Sequence, residues 1–148
     1  MLYAELRKRM AQVVPFNTTL GIEVRDLGDG TGETFLPFRK DLTNHIDTVH
    51  ASAIFALAEA ASGAAMTGAF APVITSVRPV AASATIKFLK TTKTGIVARA
   101  QTQTAGAALR DDLAKNGKAV FDVAVAIDDM DGVRIADIVV AWHVRGKT

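Results

Sequence analysis

The spacing of apolar residues predicts a helix at the start of the chain. From Leu2 to Val14 they fall at helical intervals among charged residues, until Pro15 ends the run. We therefore predict an amphipathic N-terminal helix over residues 2–14. Two short alternating segments follow at 21–27 and 31–38, and the glycine-containing link at 28–30 between them is typical of a β-hairpin.

An alanine-rich segment predicts a long central helix over about residues 50–67. Alanine has the highest intrinsic helix propensity, and no proline interrupts the segment. Because it is apolar on every side, we expect it to be buried all round. Glu59 is the only charged residue in it after His50. A membrane span is a poor alternative, since alanine is only weakly apolar and a central carboxylate is costly in lipid.

Four longer alternating segments predict the remaining strands, at 80–90, 95–104, 118–128 and 133–144. In the segment 80–90, alternation would place five residues on one face, namely Val80, Ala82, Ala84, Ile86 and Phe88. In the segment 118–128, the residues on one face would be Ala119, Phe121, Val123, Val125 and Ile127. The segment 39–48 is expected to be a loop, and 105–117 either a loop or a short helix.

These elements predict an α+β fold in which an antiparallel sheet of five to six strands wraps around the central helix. At about 3.3 Å per residue, strands of this length span roughly 36 Å, whereas the helix at about 1.5 Å per residue spans roughly 26 Å. The sheet can therefore curl around the helix and bury it. Too few helices remain to cover a parallel sheet, so one face should contact the central helix and the other should be free for water or a partner.

Composition narrows the function classes. The chain has 148 residues, 49% of them hydrophobic and 22% charged, which is typical of one globular domain over 1–148 and not of a disordered chain. With no cysteine and three histidines, thiolate metal sites, iron–sulfur clusters and cysteine nucleophiles are excluded, and we expect no metal. A net charge of +2 gives little support for a nucleic-acid partner. The N-terminal residues do not match a secretory signal, so we expect a cytoplasmic protein. We expect no membrane partner.

The order of elements resembles the hotdog-fold acyl-CoA thioesterases, especially the phenylacetic-acid-degradation (PaaI-like) type. The residues that carry the resemblance are Asn44, His50, the helix start at 51–53, Glu59 and the strand-turn-strand segment 88–95. The resemblance implies a hotdog fold and hydrolysis of an acyl-CoA thioester to free acid and coenzyme A. It also implies a homodimer, assembled as a dimer of dimers, whose site joins the helix start of one chain to the acid of the other.

The catalytic candidates that the resemblance implies are Glu59, Asn44, Ala51 and Ser52. Glu59 would act as base or nucleophile, and Asn44 would orient the water or the carbonyl. Main-chain N–H groups near Ala51 and Ser52 would hold the oxyanion, because the first turn of a helix has unpaired donors and a positive dipole end. In the family, two glycines stand at 51 and 52, so this chain adds a Cβ at each position.

The substrate-binding candidates are His50, Lys87, Lys90, Lys93 and Arg99. The four basic side chains could meet the phosphates of coenzyme A, which is part of the substrate, so no separate cofactor is expected. His50 precedes the helix, which favours a capping role over that of a catalytic base.

Other interpretations stay open. Glu59 could be a structural acid paired with a base such as Arg78, and Asn44 could serve turn formation alone. The strand lysines and arginines could be a solvated face. For the whole chain there are two alternatives. One is a non-catalytic acyl-CoA or acyl-lipid binding module, which the residues at 51 and 52 favour, and the other is a hydratase or dehydratase, which the segment 41–45 fits only loosely.

Overall fold

A computed structural model describes residues 2–147. Within them the helices are α1 (Leu2–Val13), α2 (Pro15–Leu20), α3 (Ala51–Ala69) and α4 (Gly106–Asn116), with 3₁₀ turns at Lys40–Leu42 and Ala71–Ser76. The strands are β1 (Glu23–Gly28), β2 (Thr31–Leu36), β3 (Val77–Phe88), β4 (Ile96–Thr102), β5 (Lys118–Asp129) and β6 (Arg134–Gly146).

The strands form one antiparallel sheet in the order β1-β2-β4-β5-β6-β3, and α3 packs against its inner face. The sequence-based prediction of an antiparallel sheet around a central helix is confirmed. The alternation of β5 is confirmed as well, because the five residues predicted on one face are all buried. The core centres on α3, where Leu57, Ala61 and Ala65 are fully buried.

Several boundaries differ from the prediction. Pro15 does more than end the first helix, because it occupies the first turn of α2, where its missing N–H costs nothing. The central helix runs two residues beyond the predicted end, to Ala69. The segment left open between loop and helix forms α4.

The predicted face of β3 is confirmed for Ala84, Ile86 and Phe88 but is wrong for Val80, because the strand contains a β-bulge. The register of β3 against β6 shifts between Ala81 and Ser83. Val80 therefore pairs with His143 on the outer face, whereas Ile86 pairs with the buried Ile138 on the inner face. An inserted residue reverses the side on which every later side chain lies, and an alternating pattern alone does not reveal it.

A glycine allows α3 to approach the first hairpin. A Cβ at Gly68 would overlap the carbonyl oxygen of Gly28, which is main chain and cannot rotate away. In the same helix, a Cβ at Gly63 would meet nothing closer than 3.8 Å.

We expect Gly68→Ala to destabilise the protein by about 3 kcal/mol, the upper end for overpacking, because helix and hairpin must separate. That corresponds to a fall in Tm of roughly 6–12 °C for a chain of this size. Gly63→Ala is the matched control, and we expect it to stabilise by about 0.5–1 kcal/mol by removing a helix-interior glycine. Thermal unfolding of both variants checks this, and equal Tm changes would contradict the proposed close approach.

Candidate functional site

One face of α3 is open, which corrects the expectation that this helix is buried all round. Ala51 and Ser52 are exposed, and Phe55 and Glu59 are half-buried, whereas the other fifteen residues of α3 are buried. Positions 51, 55 and 59 follow one another at four-residue spacing, so they lie on one face of the helix. The sheet covers the opposite face, and this face is left as the floor of a groove.

The groove has a volume of about 490 Å³ and is lined by Ala51, Ser52, Phe55, Ala56 and Glu59 of α3, with Phe16 of α2 and Phe88 of β3. Phe16 and Phe88 are 62% and 51% exposed, which is unusual for two phenylalanines on one surface. The groove therefore joins the helix start and the carboxylate predicted from the sequence within one apolar surface depression.

Glu59 is the titratable group of this groove. Its partial burial raises the pKa of the carboxyl above the ordinary value, because desolvation disfavours the charged form. Within residues 2–147, no hydrogen bond or ion pair reaches the Glu59 carboxylate, and the alternative pairing with Arg78 is not present. A half-buried acid without a partner, at the side of a groove, is typical of a functional carboxylate.

The first turn of α3 leaves one main-chain donor available. His50 is the N-cap, and its Nδ1 accepts the N–H of Ser52 at 2.9 Å. The N–H groups of Ala53 and Ile54 donate to the His50 carbonyl. In the part of the chain that the structure describes, the N–H of Ala51 has no acceptor, and Ala51 is one of the residues that line the groove. The capping interpretation of His50 is thus confirmed, and the Ser52 amide that the sequence offered as a donor is already engaged.

Asn44 lies in the loop before α3 and not in the groove. Its side-chain NH₂ donates to Thr48 Oγ1 at 2.8 Å, and its Oδ1 accepts the N–H groups of Ile46 and Thr48, each at 3.1 Å. All these bonds stay within the loop, as in turns built by asparagine. His45, in the same loop, is exposed and does not line the groove either. Asn44 therefore shapes the chain that leads into α3.

The basic candidates fall into two groups. Arg99 lies on the outer face of the sheet, where it pairs with Glu33 at 2.9 Å and Asp128 at 3.5 Å. Lys87 is also on that face, in register with Asp137. The structure thus does not bring Arg99 and Lys87 to the groove.

Lys90 and Lys93 are exposed in the loop between β3 and β4. That loop meets the helix start, because the N–H of Val49 donates to the carbonyl of Thr92 at 3.0 Å. These two lysines therefore stand at the end of the groove where α3 begins.

A second cavity, of about 420 Å³, lies between α1 and α3 and shares Glu59 with the groove. Trp142 of β6 forms part of its wall. The indole N–H donates to Ser62 Oγ at 3.1 Å, and Ser62 Oγ donates to the Glu59 carbonyl at 2.7 Å. Sequence reasoning missed this cavity. The sequence held one sign of this cavity, the apolar stripe of the first helix. The stripe indicates that this helix packs over another part of the chain, but it does not indicate which part.

The chain matches one protein family and is similar to several solved structures. The model of the family described as "Domain of unknown function (DUF4442)" matches residues 4–144. No match is found among curated proteins. A Pseudomonas aeruginosa protein described as a probable thioesterase superimposes with a TM-score of 0.80, at 22% identity over 97% of this chain and 96% of that chain.

Two further solved structures are similar. The Escherichia coli PaaI protein of the phenylacetic acid degradation operon has a TM-score of 0.73, at 21% identity over 98% of this chain and 95% of that chain. A hypothetical thioesterase protein of Streptococcus pneumoniae, solved with coenzyme A, has a TM-score of 0.65, at 16% identity over 85% of this chain and 87% of that chain. These likenesses show the hotdog fold. Among residues 2–147, no helix combines the length and apolarity needed to cross a membrane.

Proposed function

Since the chain belongs to the family described as "Domain of unknown function (DUF4442)" and has the hotdog fold, we propose that it is an acyl-CoA thioesterase. The observation that carries the proposal is the groove on α3, in which the half-buried, unpartnered Glu59 and the available N–H of Ala51 share one apolar surface. The reaction is the hydrolysis of an acyl-CoA thioester to a free acid and coenzyme A.

Each of these groups has a role in that chemistry. Ionised Glu59 takes a proton from water as the water attacks the thioester carbonyl, and its raised pKa makes it a better base near neutral pH. As a nucleophile, Glu59 would instead attack the carbonyl and displace the thiolate to form a mixed anhydride, whose hydrolysis by water releases the acid, regenerates Glu59 and supplies the proton that the thiolate takes up. The negative charge that develops on the carbonyl oxygen is held by the N–H of Ala51, strengthened by the helix dipole. The thiolate of coenzyme A then leaves and takes up the proton.

One chain alone does not complete the site. Ala51 and Glu59 are eight residues apart on α3, which is about 12 Å along the helix axis, too far for one carbonyl to contact both groups. A second copy of the chain would solve this by placing its Glu59 near the Ala51 N–H of the first. We therefore include a homodimer in the proposal, with a further pairing of dimers as its extension.

The free edge of β3 supports the dimer. β3 is twelve residues long and, among the strands of residues 2–147, ends the sheet and pairs with β6 alone. Its side chains are mostly exposed and small or apolar. The opposite edge, β1, has six residues, including Glu23, Arg25 and Asp26, and such charges discourage pairing. Antiparallel pairing of β3 with the β3 of a second copy would satisfy its free main-chain groups and continue the sheet across both chains.

We expect Ala84→Lys, in the middle of β3, to weaken the dimer by about 100-fold in Kd, since like charges from the two copies would meet near the symmetry axis. Light scattering should then give a mass near 15.6 kDa instead of twice that value, and thioester hydrolysis should fall with it. Val120→Lys is the control, because Val120 is 56% exposed but lies on β5, away from the edge. A wild-type monomer at micromolar concentration would exclude the composite site.

The substrate assignment has further support. The Streptococcus pneumoniae protein with the same fold was solved with coenzyme A. In this chain, Lys90 and Lys93 stand at the helix-start end of the groove and are free to meet phosphates.

Thiol release from short, long and aromatic acyl-CoA substrates tests the proposed activity directly. Turnover of any of them supports a thioesterase. Binding of acyl-CoA without turnover would instead favour a non-catalytic acyl-CoA or acyl-lipid binding module. The feature that favours this second function is the helix start, where Ala51 and Ser52 add Cβ atoms and the Ser52 amide is already bonded to His50.

A further inference from the structure

We propose that the cavity between α1 and α3 binds the acyl chain of the thioester and that Gly63 sets the length of chain it accepts. The proposal rests on the thioesterase function, because it assigns the acyl half of the acyl-CoA substrate to this cavity. It names a medium-length, unbranched hydrocarbon chain as the preferred acyl group.

The cavity has the character of an apolar ligand site. It measures about 420 Å³, within the usual range for small-molecule pockets. Met10 and Val13 of α1 face Gly63 and Met66 of α3 across it, and Trp142 forms a side wall. Its charged lining residues are Glu59 and Arg9, and Arg9 is engaged by Glu5 at 3.4 Å. Its uncharged polar lining residues are Asn17, Thr67 and Thr75, and the rest of the lining is apolar. Such a lining favours a hydrocarbon over a strongly polar acyl group.

The position of Glu59 between the groove and the cavity determines the direction in which each half of the substrate would extend. It lines both the groove and the cavity, so a thioester carbonyl beside Glu59 has two directions open to it. One leads out of the groove toward the helix start of the second copy, whose Ala51 N–H would hold the carbonyl and whose lysines suit the coenzyme A half. The other leads forward along α3 past Gly63, about 6 Å from Glu59 along the helix axis, to Thr67, about 12 Å from it, and suits the acyl half.

Gly63 is placed to limit the chain. A Cβ at this position would lie 3.8 Å from Trp142 Cζ2 and 4.0 Å from Met10 Cε, so the glycine leaves open the space between these two side chains. Trp142 cannot easily move aside, because it is 6% exposed and its N–H is bonded to Ser62. A larger side chain at position 63 would therefore close the gap between Trp142 and Met10 and stop an acyl chain from reaching the part of the cavity beyond it.

The first experiment compares kcat/KM for butyryl-CoA, hexanoyl-CoA, decanoyl-CoA and palmitoyl-CoA. For the wild type we expect a rise of about fourfold per added methylene until the cavity is full, from the usual transfer energy of a buried CH₂. In Gly63→Leu, the ratio of decanoyl to butyryl kcat/KM should fall by at least about tenfold. Gly146→Leu is the control, because a Cβ at Gly146 meets no atom of residues 2–147 within 4 Å and this glycine lies outside the cavity.

Gly63→Ala keeps the test decisive if the leucine variant does not fold. Its Cβ makes only ordinary contacts, and it should move the preferred chain to a shorter length. A chain-length profile that is the same in wild type and both Gly63 variants would overturn the proposal.

The second experiment separates this inference from the thioesterase function. Trp142 is the only tryptophan of the chain, so its fluorescence reports directly on the cavity wall. We expect decanoate and decanoyl-CoA to change the emission of the wild type and not of Gly63→Leu, and free coenzyme A to leave it unchanged. A response to decanoate in a protein that hydrolyses no thioester would refute the activity but support the acyl site. Hydrolysis of decanoyl-CoA without any change in Trp142 emission would refute the acyl site alone.

Discussion

Glu59→Gln is expected to lower kcat/KM for acyl-CoA hydrolysis by about 10²- to 10⁴-fold, the usual contribution of a positioned general base. Glutamine keeps the size of the side chain and its place in the groove but cannot accept the proton of the attacking water. Thiol release by wild type and variant, on the acyl-CoA with the highest turnover, measures the loss. Equal rates would remove Glu59 from the mechanism.

The same substitution should leave the fold intact and raise its stability near neutral pH. Burial raises the pKa of Glu59 in the folded state above its unfolded value, so the folded state binds this proton more tightly. The stability of the wild type therefore falls as pH rises through the folded-state pKa, and is unaffected by Glu59 below about pH 4.5. Glu59→Gln removes the free-energy cost of burying the ionised carboxylate. The Tm should rise by about 2–4 °C for each kcal/mol by which the free energy of unfolding increases. A variant that is inactive and also less stable at neutral pH would indicate a structural role.

Ala51→Pro is expected to lower kcat by about 10²- to 10³-fold, the effect of losing one oxyanion donor. Proline removes the N–H of residue 51 and puts a ring carbon in place of the hydrogen. The first position of a helix tolerates proline, because its N–H has no partner within the helix. The preceding residue must be extended, and His50 already has φ −66° and ψ 141°. The substitution therefore deletes a single hydrogen-bond donor from the groove while α3 stays formed.

Ser52→Ala is the matched control for this variant. It removes the hydroxyl from the neighbouring groove position but keeps the N–H that His50 caps. We expect it to retain activity within about threefold of wild type and an unchanged Tm, as for most exposed substitutions. Circular dichroism of both variants would show that α3 is intact. If Ala51→Pro is folded and fully active, the oxyanion is held elsewhere.

The fold could be predicted from the sequence because its main elements have regular patterns that extend over many residues. The strict alternation of β5 and the alanine-rich run of α3 each extend over more than ten residues, so the sheet and the helix inside it follow from periodicity. The bulge near Ala82 could not be predicted, because one inserted residue leaves the local composition unchanged while it turns Val80 outward.

The candidate site could be predicted in part for a similar reason. Glu59 is the only carboxylate in an apolar helix, and this contrast is visible in the sequence. The bond between His50 Nδ1 and the Ser52 N–H depends on one rotamer, and the placement of Arg99 on the outer face depends on the register of β4 with β2 and β5. The cavity wall at Trp142 requires residues eighty positions apart to meet, which no local pattern encodes.

The position of Glu59 at the junction of groove and cavity also bears on how the product leaves. Hydrolysis there would turn a neutral thioester into a fatty-acid anion whose carboxylate lies beside Glu59. Once Glu59 has given its proton to the departing thiolate, two like charges share a poorly hydrated space, and each disfavours the other. The protein would then bind the acid more weakly than the ester from which it came. Such an arrangement lowers the affinity for the product relative to the substrate, without abolishing it, and so limits product inhibition.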